Sequence, residues 1–196
     1  RKESSAASDV YKRQTVAHMS TPRITPGRFR DLGPLNWVFA RGAARVIGVD
    51  DARIFSTLGR TRGVFRAWLH YSGRLMPFGA LSRKDSEMII IRVAHLRSCD
   101  YELDHHRRLG KRAGIDDDEF ARIIEGPDAG WGDRERAMLR AADELVETDN
   151  ISDTTWAALA RHLDDRRLIA FVLLVGQYDG LATTIHTLRI QRDTRA

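Results

Sequence analysis

The sequence predicts an all-α protein of about seven or eight helices in one domain. Three observations predict it. Apolar residues recur at three- and four-residue spacing in segment after segment. Those segments open on Ser or Asp and close on Gly or Pro, as helices do. No segment shows the alternation of a half-buried strand. The balance of 42% apolar and 30% charged residues suits a chain that folds around a core.

Residues 1–18 carry no helix or strand period and lack the apolar centre of a secretory signal. The run Asp9-Val-Tyr-Lys-Arg-Gln14 resembles the translated end of a sequencing adapter. The expectation is a non-native leader, with the natural start at Met19. Dropping residues 1–14 removes four basic and two acidic residues, taking the formal charge from +5 to +3. Arginines lie along every helix beside acids, with no basic stripe interleaved with aromatics, so nucleic acid is not an expected partner. The longest apolar run, residues 168–175, is short for a bilayer span, so no membrane is expected either. A single cysteine cannot close an internal disulfide, and a cytoplasmic, reducing setting is expected.

Residues 20–34 hold Pro22, Pro26, Gly27, Gly33 and Pro34 and read as an irregular lead-in. From Leu35 the pattern turns helical, with Trp37, Val38, Ala40, Ala43 and Val46 as an apolar stripe and Gly48 as a stop. A second helix over 64–75 turns Phe65, Trp68, Leu69 and Leu75 inward and closes at Pro77-Phe-Gly79. Ser82 caps the next, with an acid three residues on. That helix, 86–97, is apolar almost all round (Met88, Ile89, Ile90, Ile91, Val93, Ala94, Leu96), so it is buried on most sides. Residues 88–93 could instead form a buried strand. The flanking caps favour helix. A further helix starts near Ser98 and ends before Gly114. Asp116 and Glu119 form a capping box for a short helix with Phe120, Ile123 and Ile124 inside, ended by Gly126-Pro127. Asp133 opens the next, striped by Met138, Ala141, Ala142, Leu145 and Val146. Ser152 or Asp153 opens another, with Trp156, Leu159 and Leu163. The last helix covers about 165–189. The expected organisation is the leader 1–18, an N-terminal extension 19–60 and a core 61–196.

The chemistry concentrates between Glu87 and His106. With Ser98 as cap, Cys99 falls in the first helical turn, where free N–H groups favour a thiolate. Offsets of three and seven residues then put Cys99, Glu102 and His106 on one face. Glu87 sits in the isoleucine-rich helix, where a lone carboxylate is costly unless paired, and His106 is its natural partner. Arg92 and His95 are further polar residues there. A carboxylate beside an imidazole is an acid–base pair, and a thiol adds nucleophilic or redox chemistry. The blander readings are a small buried hydrophobe for Cys99 and a solvated pair for Glu102 and His106. A Cys/His/His metal site lacks a second cluster of ligand spacing.

The residues Leu81-Ser-Arg-Lys-Asp-Ser-Glu87-Met-Ile-Ile-Ile-Arg92 and Cys99-Asp-Tyr101-Glu102-Leu-Asp-His-His106 resemble the carboxymuconolactone decarboxylase family, which includes the AhpD-type alkylhydroperoxidases. The likeness continues through Ala113-Gly114, Trp131, the 141–145 helix and Asn150 to Trp156, over about residues 35–190. It implies a helical bundle around a central helical hairpin, no cofactor or metal, a small-molecule substrate and a homo-oligomer (trimer, hexamer or dimer). The peroxidase branch carries Glu, then Cys-x-x-Cys, then His; here these positions hold Glu87, Cys99, Glu102 and His106. The second thiol is a glutamate, so the disulfide cycle within one chain is lost and the proton relay is kept. Tyr101-Glu102 is similar to the decarboxylase-like branch. The resemblance therefore implies acid–base chemistry on a small unsaturated acid or lactone. Glu87 and His106 would be the relay, Glu102 a second acid or substrate-orienting group, Tyr101 a pocket hydrogen-bond donor and Arg92 a carboxylate partner. On the stripe of the last helix, Asp179 either reaches into the pocket or makes a salt-linked interface pair. The alternatives are a peroxidase using Cys99 with an external thiol, and a ligand-binding oligomer without catalysis. A thiol pKa at or above ~8.5 argues against the peroxidase. The apolar run 168–175 with Gly176 and Gly180 fits an assembly role.

Overall fold

The computed structural model describes residues 21–194, so the leader over 1–18 and the start at Met19 lie outside the described residues. The described chain folds into nine α-helices: α1 (Phe29–Ile47), α2 (Arg53–Leu58), α3 (Gly63–Leu75), α4 (Arg83–Leu96), α5 (Asp100–Arg112), α6 (Asp117–Glu125), α7 (Asp133–Thr148), α8 (Asp153–Ala160) and α9 (Asp165–Leu188). A 3-10 turn, Gly59–Thr61, follows α2. No described residue lies in a β-strand, as the all-α reading requires. The additional helix is α2, whose six residues are too few to show a period. The described residues divide into two compact units, one of 21–66 with 185–194, the other of Ala67–Thr184.

In the first unit, α1 begins at Phe29 and breaks at Gly33, whose φ of 74° lies in the left-handed region before Pro34. The inward face is Leu32, Asn36, Ala40 and Ala44. The expected stripe was misplaced, since Val38 and Val46 are 63% and 73% exposed. A polar side chain decides the matter. Asn36 Nδ2 donates to the carbonyls of Gly59 and Arg62, which a face chosen by hydropathy alone overlooks. Gly48 ends α1 in the left-handed conformation, donating to Ala44 O. Phe39, Phe55 and Phe65 meet edge to face or tilted.

The second unit is built around α4. Ser82 Oγ accepts the Asp85 N–H and starts the helix. Every residue from Asp85 to Ala94 is buried, which an isoleucine-rich helix without a polar face demands. Around it pack Met138, Leu139, Ala141 and Ala142 of α7, Leu159 of α8, and Phe171 and Leu174 of α9. Helix α5 lies close against α4 at Gly110, where an added Cβ would stand 3.1 Å from Ile91 Cδ1. The Asp116–Glu119 capping box starts α6, and Ser152 caps α8. Gly132, not Asp133, is the N-cap of α7, which puts Asp133 in the first turn. Trp156 faces outward, while Leu159 and Leu163 face the core as expected.

Helix α9 is long and apolar enough to cross a membrane by length and composition alone, with 39% of its apolar window buried. The uninterrupted run of 168–175 understated it, because Leu181, Ala182 and Ile185 extend the apolar character beyond Val175. Its inward residues Leu168, Phe171, Leu174 and Val175 join the core, and Ile169, Val172 and Leu173 face out.

Candidate active site

The acid predicted from α4 meets the imidazole predicted from α5. Glu87 is wholly buried, and its Oε2 lies 2.7 Å from His106 Nδ1. On the other side of the ring, Nε2 lies 3.3 Å from Glu102 Oε2, one helical turn back. An imidazole flanked by two carboxylates is a donor at both nitrogens, which is the protonated form. Burial pushes the His106 pKa down, but the hydrogen bonds and charges of Glu102 and Glu87 outweigh it and raise it to about 9. The edge of the ring faces Tyr178 of α9, 5.1 Å between centroids at 90°. Burial, then the charges of Glu102 and Glu87, hold that phenol's pKa well above its ordinary value, so it stays neutral and able to donate.

Cys99 is the N-cap of α5, and Ser98 precedes it with a left-handed φ of 51°. This corrects the expectation that Ser98 caps the helix and that the helix start favours a thiolate. The sulfur is sealed from solvent, and burial pushes its pKa up to about 11. The charges of Glu102 and Asp100 add to the rise, and the backbone N–H groups of Glu102 and Tyr101 only partly oppose it.

Tyr101 is buried and stacks on His105 at 4.7 Å. Arg92 is corrected from substrate partner to structural clamp. Its guanidinium grips Asp143 through two bonds of 2.6 and 2.8 Å. The remaining nitrogen donates to the carbonyls of Ile123 and Ile124. Those carbonyls belong to the last turn of α6, which no intrahelical N–H can satisfy. Burial and nearby Arg92 hold the His95 pKa below its ordinary value. Asp179 is salt-linked to Arg97 within the same chain. No group of three or more His, Cys, Asp or Glu among the described residues is placed to hold a metal ion. Clefts of about 490 and 440 Å³ lie on the Met88 side of α4 and between α7 and α8, and neither is lined by the relay.

Two residues at the site escaped the sequence reading. Arg83 Nη2 lies 2.7 Å from Glu87 Oε1, an i,i+4 pair that spacing alone could have revealed. Tyr178 carried no such signal, since only the packing of α9 brings it to His106.

The proton on His106 ties stability to pH. Its folded pKa near 9 exceeds the 6.5 of an unfolded chain, so the stabilisation is complete below pH 6.5. It is lost as pH rises through 9, by on the order of a few kcal/mol. Urea unfolding from pH 6 to 10 should show this loss, and a His106→Gln variant should lack it.

The helices form an AhpD-like fold, with a buried Glu–His–Glu cluster beside one thiol. Residues 62–144 match the model of the carboxymuconolactone decarboxylase family. Three solved structures share the fold. An uncharacterized peroxidase-related protein from Ralstonia eutropha JMP134, described as an alkylhydroperoxidase AhpD core, is 18% identical with a TM-score of 0.76, over 87% of this chain and 92% of that one. A peroxidase-related protein from Silicibacter sp. TM1040 is 14% identical at 0.73, over 89% and 94%. The debrominase Bmp8 is 16% identical at 0.74, over 86% and 91%. A cysteine-to-alanine variant of Bmp8 has been seen with 2,3,4-tribromopyrrole. No curated protein matches the chain. The chain thus has the AhpD-like fold, with a stretch that matches the carboxymuconolactone decarboxylase model, and its single cysteine leaves it without a second thiol.

Proposed function

We propose that the chain is a one-cysteine oxidoreductase of AhpD type, in which Cys99 attacks a small electrophile such as an alkyl hydroperoxide. One arrangement carries the reading: the sole thiol caps the helix whose first two turns hold Glu102 and His106, with Glu87 behind them. In the reaction, sulfur bonds to the terminal peroxide oxygen and the O–O bond breaks. The thiol proton passes to Glu102, and His106 protonates the departing alkoxide. The resulting sulfenic acid condenses with an external thiol, releasing water, and a second external thiol frees Cys99 as an external disulfide leaves. Relatives of like fold described as peroxidase-related, and the debrominase studied as a cysteine variant, support a thiol role.

A second reading has its own support. Here His106 alone does the work, protonating the carbanion or enolate left when a small unsaturated acid or lactone loses carbon dioxide. The sealed thiol, with its pKa raised to about 11, favours this reading, because burial disfavours a standing thiolate. In either case the outward Ile169, Val172 and Leu173 of α9 support a homo-oligomer.

Cys99→Ala separates the two. Under the thiol reading, hydroperoxide consumption with dithiothreitol disappears in this variant. If the parent consumes no hydroperoxide, or Cys99→Ala keeps full turnover of whatever substrate the parent accepts, the thiol reading is gone and the acid–base one stands.

A further inference from the structure

We propose that Arg83 is the positioning residue of the relay: it completes the charge balance around Glu87, and by offsetting that carboxylate it loosens the hold on the His106 proton. The proposal deepens the relay reading and rests on it.

The charges at the site do not balance without it. His106 is one cation shared between two buried carboxylates, Glu87 at 2.7 Å and Glu102 at 3.3 Å. Two such acids and one imidazolium leave a net negative charge in a nearly dry place, which is costly. Arg83 supplies the second positive charge from 2.7 Å. The other charged and polar groups nearby do not replace it. From α5, Cys99 is a neutral thiol. From α9, Tyr178 is neutral, and the Asp179 charge is taken by Arg97. On α4, Lys84 turns away to Glu119.

Two further observations mark Arg83 as more than a surface arginine. It stands in the first turn of α4, where the helix dipole disfavours a cation. Its reach into the interior offsets that cost. Glu87 Oε1 also accepts no hydrogen bond, so the guanidinium holds this oxygen by charge, out of hydrogen-bonding alignment. Arg83 itself is one-third exposed, so its charge links a solvent-reached group to a sealed one.

The test is an NMR titration of the His106 imidazole, which needs no substrate and so cannot be confused with failure of the proposed reaction. Arg83 should hold the His106 midpoint down by about one unit, a tenfold change in proton affinity, and Arg83→Gln should lose that lowering. Arg83→Lys should restore most of it. A folded Arg83→Gln variant that titrates with the parent overturns the proposal. Should Arg83→Gln fail to fold, the double variant Arg83→Gln/Glu87→Gln is compared with Glu87→Gln alone. Identical His106 midpoints in these two support action through Glu87, and a rise in the double variant overturns it.

Discussion

Glu87→Gln should cut turnover by roughly 10²- to 10⁴-fold while leaving the helical fold in place. Glutamine fills the same volume in the isoleucine-lined site, so the packing of α4 survives. What is lost is the charge 2.7 Å from His106 Nδ1. The imidazole then has only Glu102, at the longer distance of 3.3 Å, to favour its protonated form. Its pKa should fall from about 9 toward that of an ordinary histidine, and the acid it supplies at neutral pH should fall with it. Rate against pH, with circular dichroism as the check on folding, reads both effects. The relay would be refuted by parental activity in this variant and in His106→Ala alike.

Arg92→Met should cost about 3–5 kcal/mol of stability and have little direct effect on chemistry. The substitution strands a carboxylate and two helix-end carbonyls that the guanidinium now satisfies through four hydrogen bonds. Urea unfolding measures the loss. A double variant, Arg92→Met/Asp143→Leu, should recover much of it, because the remaining buried charge goes as well. A contrary result, a raised KM with stability unchanged, would return Arg92 to the substrate role first expected of it.

These two residues show where reading the sequence succeeds and where it stops. Glu87 and Arg92 are both charged residues in a helix too apolar to expose them, so each had to have a buried partner. The short spacing from Cys99 to His106 supplied Glu87 with its candidate. For Arg92 the partners are Ile123, Ile124 and Asp143, more than thirty residues away, and no local pattern points to them. The same holds for Tyr178, and for the inward turn of Asn36. Cys99 shows a different limit. A one-residue shift of the helix start, from Ser98 to Cys99, together with complete burial, turned an expected thiolate into a thiol held protonated.

By itself the sequence determined that the protein is helical, that α4 is its buried centre, and that an acid, a thiol and an imidazole lie on neighbouring helices. Helix periods, caps and i,i+4 faces are local properties, set within a dozen residues of chain. The tertiary structure decided which charges meet and which form each prefers. Desolvation and pairing depend on what packs around a group from distant parts of the chain, and that packing sets the proton on His106 and keeps one on Cys99.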